Sequence, residues 1–171
     1  MFTRTRVFAG LLAAGLVAGA TAVAAAQTPT RIGEFSDWGA FSYDSGNGKV
    51  CYALSVPTSK LPTDVDHGDN FFLVTQRARQ NVTYEPQFMA GYSLRDGSKV
   101  SVSVDGKEFT FFTKDNSAWV ENAAQEPALV AAMKAGTKMT VKATSRRGTN
   151  TTYEYSLSGV TAALDAIQDC K

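Results

Sequence analysis

The sequence is short of the residues that most often carry chemistry. It has one histidine, His67, and two cysteines, Cys51 and Cys170, in 171 residues. A lone imidazole leaves serine catalysis a single possible base, and no Gly-x-Ser-x-Gly stretch follows a strand-like run. Structural zinc sites normally use two or more Cys or His ligands. Excess charge is missing too, since 17 basic residues stand against 16 acidic ones. A balance this even argues against a surface that tracks phosphates, so no nucleic-acid partner is expected. No glycine-rich loop opens a helical pattern, which removes nucleotide cofactors. There is no internal repeat and, beyond residue 26, no apolar run long enough to span a bilayer. The expectation is therefore no catalytic residue set, no metal ligands, no cofactor-binding residues and no enzyme.

What the chain does have begins at its N-terminus. Arg4 and Arg6 precede an apolar run from Val7 to Val23, and Ala24, Ala25 and Ala26 offer small residues for cleavage before Gln27. That layout predicts a secretory signal peptide over residues 1–26. Without it the chain carries a net charge of −1 and has the length of one domain. Residues 27–33 read as a flexible leader, and residues 34–171 as a single β domain.

Two cysteines in an exported chain read as one disulfide, Cys51–Cys170. Two free thiols or an intermolecular bond are the alternatives.

Period-two alternation dominates the rest. Residues 35–56 read as a hairpin around a Ser45–Gly48 turn, with Val50, Tyr52, Leu54 and Val56 on one face and Cys51, Ala53 and Ser55 on the other. Pro57 to Asn70 reads as a loop and Phe71 to Thr75 as a short buried strand. Asp105-Gly106 between Val100–Val104 and Lys107–Thr113 predicts a two-residue type I′ hairpin. Ala118 to Val120, Lys138 to Thr144 and Thr152 to Leu157 add further strands. Gln125 to Lys134 reads as a short helix, with Pro127 in its first turn and Gly136 past its end. Val160, Ala163, Leu164, Ile167 and Cys170 recur at helical spacing, with Ser158 as the expected cap. This helix should pack over the small-residue face around Cys51, leaving Tyr52 and Leu54 to meet the other strands. The sum is about nine strands, mostly paired antiparallel, plus two helices. It predicts an all-β antiparallel β-sandwich or open barrel, with a short internal helix and a C-terminal helix packed on the sheet.

Three features invite chemistry. Asp64, Asp66, His67 and Asp69 resemble a metal loop, but their spacing matches neither zinc nor calcium patterns. A solvated acidic loop, with Gly68 in a turn, is the expected reading. Glu108, Glu121, Glu126 and Glu154 are candidates for a carboxylate pair, at the level any domain with this many acids offers by chance. Phe111 and Phe112 are adjacent in a strand and must point to opposite faces, so one can be exposed as part of a protein-binding surface.

The stretches Phe35–Trp38, Val50–Tyr52, Gly68–Val74 and Ser156–Cys170 resemble the invasion-associated locus B (IalB) proteins of alphaproteobacteria. The resemblance covers nearly all of the chain after residue 26, and its C-terminal stretch is the most specific part. It implies a β-sandwich-like protein of the periplasm or envelope, secreted or outer-membrane associated in the alternative, and in pathogenic members a link to host-cell entry. It brings no catalytic motif. A further cysteine is expected soon after the tryptophan, and Ala40 to Tyr43 holds none. The resulting expectation is a non-enzymatic interaction module whose partner is an envelope or host-surface protein. A small-ligand carrier with an apolar cavity, or a hydrolase using acidic residues or His67, are the alternatives.

Overall fold

The computed structural model describes residues 28–80 and 82–168. The predicted signal peptide and Cys170 lie outside the described residues. Eleven strands form one sheet, ordered β1-β2-β3-β5-β6-β9-β8-β7-β10-β11-β4. In chain order they are β1 (Thr30–Phe35), β2 (Trp38–Ser45), β3 (Gly48–Ser55), β4 (Ser59–Leu61), β5 (Phe71–Arg77), β6 (Val82–Met89), β7 (Lys99–Val104), β8 (Lys107–Lys114), β9 (Ser117–Val120), β10 (Lys138–Thr144) and β11 (Asn150–Ser156). Two helices complete the fold, α1 (Glu126–Ala135) and α2 (Val160–Gln168).

The paired strands are antiparallel, as the consecutive alternating runs predict. The sheet curls until its inner faces meet but does not close. Phe72 of β5 packs on Tyr155 of β11 (5.9 Å between ring centroids) and on Phe111 of β8 (6.2 Å), and Phe88 of β6 on Tyr153 (5.4 Å). The β7–β8 hairpin turns at Asp105 (φ 46°) and Gly106 (φ 91°), the left-handed pair that a type I′ turn requires. The Asp105 carboxylate also accepts from the Thr137 and Lys138 amides (2.8 and 3.1 Å), which starts β10 beside the turn. The backbone bond from Thr137, followed by the weaker one from Lys138, holds this carboxyl below the usual range.

Helix α2 shows why the terminal stretch matters. Val160, Ala163, Leu164 and Ile167 are all buried, and the helix lies against β1, β2, β3 and β5. Nine residues make a marginal helix in isolation. Burying each aliphatic side chain contributes about 1.5–3 kcal/mol, so the sheet supplies most of the helix's stability. The sheet positions of this part of the core are small: Ala40, Cys51 and Ala53.

Several expectations change. Thr30–Phe35 is a strand paired to β2, so residues 30–33 of the predicted leader belong to the sheet. As an edge strand it is mostly exposed and needs no apolar alternation, which hid it. Ser59–Leu61, read as loop, pairs with β11 on the opposite edge. Tyr52 and Leu54 do not meet other strands in the core. They face outward, half-buried, with Tyr52 stacked on Phe41 at 5.4 Å. Because α2 fills the volume over Ala40 and Ala53, the small face is the inner one. Ser158 does not supply the helix's N-cap position. The first helical bond runs from the Ala163 amide to the Gly159 carbonyl.

Candidate functional site

The outward faces of the strands build an apolar band across the sheet. Strand register aligns Leu54, Leu73, Gln87, Trp119, Phe112 and Lys99 on six neighbouring strands. A second row aligns Arg31, Phe41, Tyr52, Thr75 and Glu85. Alternation puts Phe111 in the core at 0% exposure and leaves Phe112 outside at 41%. Phe112 stacks on Trp119 with centroids 5.8 Å apart and planes at 27°. The rim is charged and internally paired. Lys99 bonds Glu121, Arg77 donates to Glu85 Oε1 from both Nη1 and Nη2 at 3.1 Å, and Arg31 lies over the Phe41 ring. An aromatic centre with a satisfied polar rim is the anatomy of a protein interface.

The candidate carboxylates do not converge. Glu108 accepts from Ser101 (2.6 Å), and that bond, with one from Ser103, lowers its pKa. Glu154 pairs with Lys138 (3.1 Å), and Glu121 with Lys99. Glu126 opens α1 beside a cleft of about 640 Å³ lined by Tyr84, Glu85, Pro127 and Lys134. Burial first and the Glu85 charge second raise its pKa. Sequence reading missed Glu85, because only the packing of α1 against β6 brings it to Glu126. Glu85 is committed to Arg77, so it is not a free base.

His67 is not solvated, contrary to the loop reading. It is 7% exposed. Its Nε2 is 2.8 Å from the Pro62 carbonyl and its Nδ1 2.9 Å from the Tyr153 hydroxyl. A carbonyl only accepts, so Nε2 donates to Pro62, and Nδ1 shares a hydrogen bond with the Tyr153 hydroxyl. Tyr153 is bonded in turn to the Tyr92 hydroxyl (3.0 Å), and Tyr92 to Thr151 (2.6 Å). Burial, then the Tyr92 contact, pushes the Tyr153 phenol far up. Both ring nitrogens are used in structural bonds, and Asp64, Asp66 and Asp69 stay exposed. Among the described residues, no group of three His, Cys, Asp or Glu side chains could hold a metal ion. His67→Ala is expected to cost about 2–4 kcal/mol, because it strands a buried hydroxyl and a carbonyl and opens a void. A urea melt measures this, and an unchanged midpoint would contradict the buried role.

The interior is filled by Phe72, Phe88, Phe111, Tyr153 and Tyr155, all fully buried. Space for an enclosed ligand is taken by these rings, which weighs against a carrier.

Cys51 is buried at 2% on the inner face of β3, opposite Gln76 of β5. The Gln76 side-chain amide donates to the Gln168 carbonyl at the end of α2 (3.1 Å). The last described turn of α2 therefore sits over the Cys51 strand pair.

A family model for the invasion associated locus B (IalB) protein matches residues 38–168. The chain belongs to the IalB family. The match spans Trp38 through the end of α2, so this IalB protein carries the whole curled sheet within the family's extent apart from β1. Comparison with curated proteins and with solved structures finds no match. No helix of the described residues is long and apolar enough to cross a membrane.

Proposed function

We propose that this IalB protein is an exported, non-enzymatic interaction module that docks an envelope or host-surface protein through its outer aromatic band. The observation that carries the reading is the stacked pair of exposed Phe112 and half-buried Trp119, set in the outward row and framed by ion pairs. Stacked aromatics lose little side-chain entropy on binding and are the residue types that dominate interface energetics. The IalB family is linked by its description to invasion, which supports a surface-recognition role. Export by the predicted N-terminal signal, cleaved before Gln27, supplies the compartment where such a partner is met.

Phe112→Ser tests the proposal. The ring is 41% exposed and stacks on Trp119, so the change should cost about 1 kcal/mol of stability and leave the fold intact. Loss of an interface anchor should weaken partner binding by about 2 kcal/mol or more, roughly 30-fold. Native and Phe112→Ser proteins would be used side by side to capture partners from envelope extract. A partner retained equally by both would exclude the band as the docking face.

A further inference from the structure

Three arginines meet at one turn that the aromatic band does not use. Arg146 and Arg147 lie between β10 and β11, and the Arg95 guanidinium covers Gly148, where an added Cβ would stand 2.8 Å from its Nη2. All three are exposed, and none makes an ion pair among the described residues. Arg31, Arg77, Lys99, Lys134 and Lys138 each find a carboxylate, whereas among the described residues Lys49, Lys60, Arg79, Lys107, Lys114 and Lys142 stand singly without one, so what sets the three arginines apart is that they share a turn. In a chain with nearly as many acids as bases, a turn bearing Arg146 and Arg147 with Arg95 over its Gly148 concentrates positive charge that an anion would relieve.

The turn is braced. The Arg146 amide donates to the Ser93 carbonyl (2.9 Å), the Arg95 amide to the Thr144 carbonyl (2.9 Å), and the Gly148 amide to the Ser145 carbonyl (2.8 Å). The Thr149 amide donates to Ser145 Oγ (3.1 Å). The backbone that carries the arginines is therefore fixed before any ligand arrives, which lowers the cost of binding.

Beside the turn lies a cleft of about 470 Å³, within the usual range for small-molecule sites. Arg146, Arg147, Asp66, Tyr92, Ser93 and Ser145 are among its lining residues. The Tyr92 hydroxyl is pinned by Thr151 and Tyr153, which fixes its ring. Asp66 Oδ1 accepts from the Gly68 amide (2.9 Å), and its other carboxylate oxygen is left to accept from a ligand.

We infer that this cleft binds an anionic sugar, with its carboxylate or phosphate on Arg146 and Arg147. Guanidiniums match the oxygen geometry of either anion. Serine hydroxyls and Asp66 suit ring hydroxyls, and an aromatic ring suits the apolar face of a pyranose. Asp66 also repels the anion, so it sets polarity: the charged end goes to the arginines and the hydroxylated end to Asp66. The site uses none of the aromatic band, so its failure and that of the docking proposal are separable.

Calorimetric titration of the full mature chain with glucuronate, glucose 6-phosphate, glucose and inorganic phosphate tests this. Both anionic sugars should bind at least tenfold more tightly than glucose and than inorganic phosphate, and added sodium chloride should weaken them. The double variant Arg146→Gln, Arg147→Gln should lose at least tenfold for the anionic sugars with its melting temperature unchanged, and Phe112→Ser should bind them as the native chain does. Glucose binding as tightly as glucuronate would overturn the inference. So would inorganic phosphate binding as tightly as glucose 6-phosphate, affinity insensitive to salt, or no binding at millimolar ligand. The salt and ligand comparisons are made on native protein, so a misfolded variant cannot rescue the idea.

Discussion

Replacing Gly159 by alanine is expected to cost the fold about 4–5 kcal/mol, at the extreme of single substitutions. Gly159 has φ +89°, and an added Cβ would stand 1.8 Å from the Phe35 carbonyl oxygen and 2.6 Å from its carbon. These are backbone atoms of β1, so no rotamer change relieves the collision. Either α2 lifts away or β1 leaves the sheet edge. Both movements break neighbouring ties: the Asp37 amide to the Ser158 carbonyl (3.2 Å), and Trp38 Nε1 to the Ser156 carbonyl (3.0 Å). Trp38 is 1% exposed, so its indole N–H has no water to turn to. At this chain length the loss corresponds to a fall in melting temperature of roughly 10–20 °C. Gly97→Ala isolates the cause. Gly97 also has positive φ (+68°) but has nothing within 4 Å of an added Cβ, so it should cost only the conformational penalty of about 1–2 kcal/mol. If the two variants melt together, the close approach of α2 to β1 is not a constraint on the fold.

That glycine also marks how far the sequence could be read. Features fixed by neighbours along the chain were legible. Asp105-Gly106 specifies its turn through backbone sterics alone, Pro127 and Gly136 bracket α1, and the α2 stripe is buried as its spacing predicts. Phe111 and Phe112 had to face opposite ways, and the exposed member lies in the proposed docking face. Features decided by distant partners were not legible. Strands β1 and β4 are edges, half satisfied and without a fully buried residue, so they carry no apolar signature. The packing of α2 over the small face of β3 follows from the sequence, whereas the outward facing of Tyr52 and Leu54 does not, because it depends on α2 filling the space above Ala40 and Ala53. His67 reads as solvated among aspartates, yet its ring is held by Pro62 of its own loop and by Tyr153 of β11, 86 residues away, and only the second closes it off. The Glu85–Glu126 proximity and the seating of Arg95 on Gly148 likewise exist only once the sheet curls.

The second large effect is expected from the proposed Cys51–Cys170 bridge. Cys170 falls two residues after Gln168, whose carbonyl is bonded by Gln76, the cross-strand partner of Cys51. The end of α2 is thus delivered to the right strand pair, and the proposed export would supply an oxidising compartment. Such a bridge closes a loop spanning 119 residue positions, worth roughly 4–5 kcal/mol in the chain-entropy treatment, with real bridges often giving less. Protein purified without reductant should gain the mass of two hydrogen atoms on reduction and show no alkylation beforehand. Cys170→Ser should lower the urea midpoint accordingly. It is the better variant, because Cys51→Ser also puts a hydroxyl into the buried inner face. With reductant present, native protein and Cys170→Ser should unfold at the same midpoint, since the cross-link is then gone from both. A gap that persists under reductant would assign the loss to packing at position 170. Alkylation of both thiols in the native protein would remove the bridge altogether. With it, α2 is held at both ends: Gly159 seats its start against the Phe35 carbonyl, and the bridge ties its end to β3. Neither tie touches Phe112, Arg146 or Arg147, so variants at the two ends should change stability without changing what the native fold binds.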